Sequence, residues 1–163
     1  MKKFTCIILL LLTSLFLYSE EFRIYRGDST FSSNIIFTIK NNKMYRGDST
    51  FSSDCIANIR NGKIYKKDSS FSSDCVATIK NGKIYKGDST FSSDCIANYR
   101  QGKFYKKDSS FSNDCFLNYN SKKLYKKDSS FSSDIIFTFS KDVKYSPTLL
   151  MFVVYKFFNI LFV

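Results

Sequence analysis

Histidine is absent from the 163 residues, and so is tryptophan; proline occurs once and glycine six times. Without histidine, the Ser-His and Cys-His pairs that activate a nucleophile are unavailable. The few glycines form no phosphate-cradling loop. Without tryptophan, one of the ring types that build quaternary-ammonium cages is missing. Between residues 22 and 145 no apolar 3.6-residue period and no capping box occurs, so helices are not expected there. The expectation is a non-enzymatic protein with no catalytic residue, no metal and no cofactor.

What the chain has instead is a period. Tyr25, Tyr45, Tyr65, Tyr85, Tyr105, Tyr125 and Tyr145 recur at a step of 20 residues, and Asp28 to Asp128 and Phe31 to Phe131 keep the same step. Six complete copies fit between Ile24 and Val143 with no insertion or deletion. Such a period marks a tandem array, in which one small unit buries its apolar face only against its neighbours. The acids recur identically in every copy, whereas an active site normally breaks symmetry.

Lys2 and Lys3 precede an uncharged apolar run from Phe4 to Tyr18, and Ser19, Glu20 and Glu21 end it. This order reads as a secretory signal peptide over residues 1–19, the run being shorter than the roughly 20 residues of a membrane span. The expected localisation is therefore secreted, periplasmic or cell surface. After its removal 23 basic residues face 14 acidic ones, a net charge of +9. That balance suits anionic lipid, a cell-wall polymer or nucleic acid, although no specific nucleic acid is implied. The plainer reading is that the lysines keep the sheet soluble and discourage edge pairing.

Within one unit, Cys55-Ile56-Ala57-Asn58-Ile59-Arg60 and Lys63-Ile64-Tyr65-Lys66 suit strands, and Asn61-Gly62 between them is the strongest short hairpin signal. A two-residue turn sets Arg60 opposite Lys63, Ile59 opposite Ile64 and Asn58 opposite Tyr65. Alternation then puts Cys55, Ala57, Ile59 and Ile64 on the core face, and Ile56, Asn58 and Tyr65 on the other. Asn81-Gly82 repeats the turn; Gln101-Gly102, Asn41-Asn42, Ser121-Lys122 and Lys141-Asp142 fill the slot more weakly. The connector Asp68 to Asp74 is a polar turn that a buried Phe71 is expected to pin to the sheet. Cys55, Cys75, Cys95 and Cys115 alternate with Ile35 and Ile135 in one column, which reads first as free core thiols. Disulfides come second, since they need Cα atoms within about 7 Å, and a zinc site lacks paired ligand spacing.

The pattern stops at Ser146-Pro147, and Thr148 to Val163 is apolar apart from Lys156 and Asn159. This segment is expected to cap or pack on the array as a drifted seventh copy, with Leu149 to Tyr155 as its strand. The alternative is membrane contact through this C-terminal segment. The domain plan is residues 1–19, a repeat domain over 20–145, and a hydrophobic segment over 146–163.

The unit Asn-Gly-Lys-Ile-Tyr-Lys-Gly/Lys-Asp-Ser-Ser/Thr-Phe-Ser-Ser-Asp, followed by a short apolar strand, resembles bacterial β-flower repeat proteins over Glu21 to about Tyr145. In that family short hairpins surround a pseudo-symmetry axis like a miniature propeller. The resemblance implies an all-β, closed flower-like array and no particular function. Six hairpins plus a leading strand over residues 22–27 depart from a four- or five-fold ring, and pairing of that strand with the last copy would close the circle. A weaker resemblance, to choline-binding cell-wall repeats, gives an open hairpin solenoid as the alternative.

Two sets of residues are candidate binding sites. Tyr45, Tyr65, Tyr85, Tyr105 and Tyr125, among lysines, offer stacking faces for a cell-envelope glycan, with avidity from repetition. Packing across from Asn58 accounts for the same tyrosines. Arg26-Gly27-Asp28 and Arg46-Gly47-Asp48 match the tripeptide of host adhesion ligands, which would make a host surface protein the partner. Other copies write Lys-Lys-Asp there, so chance within the repeat is the more economical account. Asp68 and Asp74 fit Asx-turn capping better than a calcium site.

Overall fold

A computed structural model of the chain describes residues 21–161, with side chains as far as Phe157. The signal-peptide expectation therefore lies outside the described residues. Twelve strands follow one another: β1 (Phe22–Arg26), β2 (Ile35–Lys40), β3 (Lys43–Arg46), β4 (Cys55–Arg60), β5 (Lys63–Lys66), β6 (Cys75–Lys80), β7 (Lys83–Lys86), β8 (Cys95–Arg100), β9 (Lys103–Lys106), β10 (Cys115–Asn120), β11 (Lys123–Lys126) and β12 (Ile135–Phe139). Among the described residues one α-helix, α1 (Pro147–Leu161), follows them. Each strand pairs antiparallel with its neighbours in sequence, and β1 pairs with β12, so the sheet closes into a barrel.

The Asn-Gly corners reverse the chain as their chemistry requires. Asn61 has φ 49° and Gly62 φ 75°, the double positive value of a type I′ turn. The register that follows is the expected one: Arg60 opposite Lys63, Ile59 opposite Ile64, Asn58 opposite Tyr65. Glycine serves a second purpose at this corner. The Gly62 carbonyl accepts from the Ile79 N–H of the next blade at 2.6 Å, and a Cβ there would lie 2.7 Å from the Ile79 carbonyl oxygen.

Five blades are hairpins: β2–β3, β4–β5, β6–β7, β8–β9 and β10–β11. The sixth is assembled from opposite ends of the chain, with Ile24 opposite Phe139 and Tyr25 opposite Thr138. Lys141-Asp142, expected to fill the turn slot of the sixth hairpin, makes no hairpin, because β1 already occupies the edge of β12. Closure leaves no sheet edge exposed.

Alternation fails at one residue per blade. Tyr45 lies opposite Cys55 and Met44 opposite Ala57, so Ile56 is the extra residue of a bulge. The same shift recurs in the other blades. A bulge moves what precedes it to the opposite face. Cys55 thus leaves the core face and joins Asn58 and Tyr45 outside, while Ile56 packs against the core. Cys55, Cys75, Cys95 and Cys115 are free thiols, as the sequence suggested, but in the outer layer at the blade junctions.

Inward-facing Ile24, Met44, Ile64, Ile84, Phe104 and Leu124 are at most 1% exposed. Side chains alone fill a barrel of about eight strands, and a wider one leaves a lumen of roughly helix width. Here α1 occupies that lumen. Six consecutive residues, Leu150 to Tyr155, are buried, so over this stretch no face of the helix meets water. Tyr155 donates to the Val76 carbonyl at 2.8 Å, and Phe157 meets Phe137 edge-on at 4.3 Å between ring centres. These contacts reach blades on different sides of the ring. The strand expected over Leu149 to Tyr155 is therefore a helix, with Ser146 and Pro147 at its start, where such residues suit a helix beginning. No helix among the described residues is long and apolar enough to cross a membrane.

Candidate functional site: the connector face

The blade-to-blade connectors leave the strand ends away from the turns and fold back over the outer wall, where Asn58 donates to two connector carbonyls and Asp68 meets Lys43 and Arg60 beside the turns. Each connector opens on a left-handed residue: Gly27, Gly47 and Gly87, or Lys67, Lys107 and Lys127, with φ between 49° and 61°. Beneath it lies a polar side chain, buried in all copies but the half-buried Asn118, that differs with the opener. Thr38, Thr78 and Thr138 donate to the carbonyls of Gly47, Gly87 and Gly27. Asn58 donates to the carbonyls of both Lys67 and Ser69, and Asn98 and Asn118 to those of Ser109 and Ser129. Threonine thus goes with glycine and asparagine with lysine in all six copies. A left-handed lysine costs about 1–2 kcal/mol relative to its usual conformation, and the longer amide adds a hydrogen bond further along the connector.

The serine after the aspartate braces the loop. Ser69 Oγ accepts from the Phe71 N–H at 3.2 Å and donates to Asp74 at 2.5 Å. Ser49, Ser89, Ser109 and Ser129 do the same, and in the first copy Asn34 donates to Ser29. The aspartate at the loop start clasps the preceding blade. Lys43 meets Asp68 at 2.5 Å, and Lys63–Asp88, Lys83–Asp108 and Lys103–Asp128 repeat the pair. Arg23–Asp48 and Lys123–Asp28 carry it across the seam. The bond from Lys43 holds the Asp68 carboxyl below its ordinary range, and the same bond raises Lys43.

So braced, the loop does not bury its phenylalanine. Phe31, Phe51, Phe71, Phe91, Phe111 and Phe131 are 73–76% exposed, and the expectation that Phe71 pins the connector to the sheet is wrong. Serine and aspartate fix the loop by backbone hydrogen bonds, so the ring is not needed for anchorage. At the strand ends away from the turns the barrel mouth is basic. Arg26, Arg46, Lys66, Lys86, Lys106 and Lys126 lie opposite the inward residues Phe137, Phe37, Ala57, Ala77, Ala97 and Leu117, and all six are exposed. None of them forms an ion pair among the described residues. Lys156 sits half-buried within this rim, and burial, with Lys66 nearby, lowers its pKa.

The two sets of residues singled out in the sequence lie apart from the exposed rings. Tyr45, Tyr85 and Tyr125 are buried and Tyr65 and Tyr105 half-buried, each between its own blade's Thr or Asn and the next blade's strand. Little ring face is left for a sugar. In the Arg-Gly-Asp segments Arg26 and Arg46 are exposed at the mouth, Gly27 and Gly47 are left-handed openers, and Asp28 and Asp48 are held in the inter-blade pairs. Burial raises the pKa of Cys55, Cys95 and Cys115, which keeps these thiols protonated and poorly nucleophilic. The phenylalanine face had a visible signal, a lone aromatic inside Asp-Ser-Ser-Phe-Ser-Ser-Asp with no apolar neighbour to pack on.

Six antiparallel blades closed about a central helix, with a recurring connector after each blade, define a small pseudo-symmetric β-flower. The chain belongs to the family described as 6-fold beta flower protein, which matches it over residues 24–154. That match takes in all six blades and enters α1. No curated protein and no solved structure matches the chain.

Proposed function

We propose that this protein is a non-enzymatic binding module acting outside the cytoplasm, and that the connector face is its contact surface. One observation carries the reading: six exposed phenylalanines stand at equivalent places on loops stiffened by hydrogen bonds. Exposed aromatic surface is costly to keep in water, and a repeated array of it marks a contact site. Six equal weak contacts give avidity without any deep pocket. The placement outside the cytoplasm rests on the basic-then-apolar start of the sequence.

The test is retention of the purified protein on an isolated cell-envelope fraction. The natural sequence is expected to be retained, and a variant with all six phenylalanines changed to serine is expected to wash off. Its thermal midpoint should stay close to the parent's, since the exposed rings support nothing. Equal retention of both proteins would contradict the assignment of this face.

A further inference from the structure

We infer that the barrel mouth at the strand ends away from the turns is an anion site that holds several phosphate groups at once. The site is separate from the connector phenylalanines and its test does not depend on theirs. Arg26, Arg46, Lys66, Lys86, Lys106 and Lys126 are the last residues of β1, β3, β5, β7, β9 and β11. Each stands two residues past an inward-facing side chain, as Lys66 does past Ile64, so strand alternation returns it to the inner face. Lys66 accordingly lies opposite the buried Ala57. Equivalent positions in a closed ring form a collar, with neighbouring cations two strands, or roughly 10 Å, apart.

α1 brings a seventh cation into this collar. The helix starts at the turn end, where Pro147, Thr148 and Leu149 line a cavity with Asn61 and Gly62. Eight residues on, Tyr155 donates to the Val76 carbonyl, which also accepts from the Gly87 N–H just past Lys86. Lys156 follows, half-buried, and burial together with Lys66 nearby lowers its pKa. A lysine removed this far from water ordinarily has a carboxylate beside it. Neither Lys156 nor any cation of the collar has one among the described residues. Asp54, Asp74, Asp94, Asp114 and Asp134, just before the longer strands, accept serine hydroxyls of the connectors instead. The carbonyl end of α1 supplies only about half a negative charge against seven positive ones.

The missing partner is therefore an anion from outside the chain. A single carboxylate would meet one or two of the seven cations, so the ligand carries several anionic groups. Phosphate suits the collar because each group concentrates more charge and more acceptor oxygens than a carboxylate, and lysine binds it as a point charge. Soluble polyphosphates and the headgroups of anionic phospholipids share that chemistry.

The experiment is calorimetric titration of the full chain with inorganic tripolyphosphate, beside co-sedimentation with vesicles of phosphatidylcholine with and without phosphatidylglycerol. Binding is expected at low salt and weakens steeply as salt rises. Lys66→Gln with Lys106→Gln is expected to lose about tenfold or more in affinity. Lys80→Gln with Arg100→Gln removes the same charge at the turn end and should change it little. All four residues are exposed, so neither variant should move the thermal midpoint. In the tripolyphosphate complex the Lys156 amine, followed by carbon NMR at Cε, is expected to regain proton affinity. Binding of both probes, each weakened by the collar variant, supports the shared chemistry. Tripolyphosphate binding alone assigns the site to a soluble ligand, and vesicle binding alone, lost in the collar variant, assigns it to headgroups. Binding of neither probe, equal losses in the two variants, or an unmoved Lys156 in the tripolyphosphate complex overturns the inference.

Discussion

At the scale of single residues, the repeat shows how one side chain licenses another. The connector opener must be left-handed, and glycine adopts that conformation freely while lysine does not. Lys67→Gly, Lys107→Gly and Lys127→Gly are expected to stabilise the protein by about 1 kcal/mol each, measured by urea denaturation. The hydrogen bonds from Asn58, Asn98 and Asn118 go to backbone carbonyls and survive the change. Glycines at the two ends of the barrel should respond differently to alanine. Around Gly47 a Cβ would meet nothing, so Gly47→Ala is expected to cost only the conformational term of about 1 kcal/mol. Gly62→Ala adds a collision with the Ile79 carbonyl and should lose clearly more. The turn and the hairpin register were legible at this scale, because each is decided by neighbours close in sequence. The exposure of Phe71 was signalled only by its polar neighbours. An aromatic residue is normally buried, and only the loop's own hydrogen bonds remove the need for that.

At the scale of elements, two readings of the sequence were overturned by long-range geometry. The bulge at Ile56 exists because β4 must pair with β3 and β5 at once, and nothing within β4 announces the shift. It carries Cys55 from the core face to the outer face. The helix α1 was read as a strand because it lacks a 3.6-residue apolar period, yet that lack is what a helix buried on every side should show. Its length was the available clue, since an apolar run of this extent exceeds an ordinary strand. Phe152 is fully buried in the lumen, so Phe152→Ala is expected to cost about 3–5 kcal/mol. Phe71→Ala is expected to stay within about 0.5 kcal/mol of the parent. Thermal denaturation of the two variants side by side checks the contrast, and similar losses would mean that one of the two rings is misplaced.

At the scale of the whole molecule, closure joins the chain's two ends and completes a circle of ion pairs between blades. The pH dependence of stability follows from which groups change proton affinity on folding. Bonds to aspartate raise Lys43, Lys63, Lys83, Lys103 and Lys123. Burial raises Cys55, Cys95, Cys115 and Tyr119. Groups raised in the folded state contribute fully below their unfolded values and lose that contribution as pH rises through the folded ones. Decline should therefore begin above about pH 8.5, where unfolded thiols ionise, and steepen above about pH 10 with tyrosine and lysine. Asp68 acts in the opposite sense: its lowered pKa contributes above about 3.9 and is lost as pH falls through the folded value. Urea midpoints are expected to be flat between about pH 5 and pH 8 and to drop on both flanks.

The repeat made an array legible, but not how many blades close it, because that number depends on β1 replacing the strand the last copy lacks. Nor did it show that a lumen of this width calls for a helix to fill it. Amide hydrogen exchange read by mass spectrometry tests this closure and its filled centre together. Peptides from β1, β12 and the Leu150–Tyr155 stretch of α1 are expected to exchange as slowly as those from β6 and to open with them as one unit. Rapid exchange in α1, or in β1 well ahead of β6, would contradict a ring sealed around its own C-terminal helix.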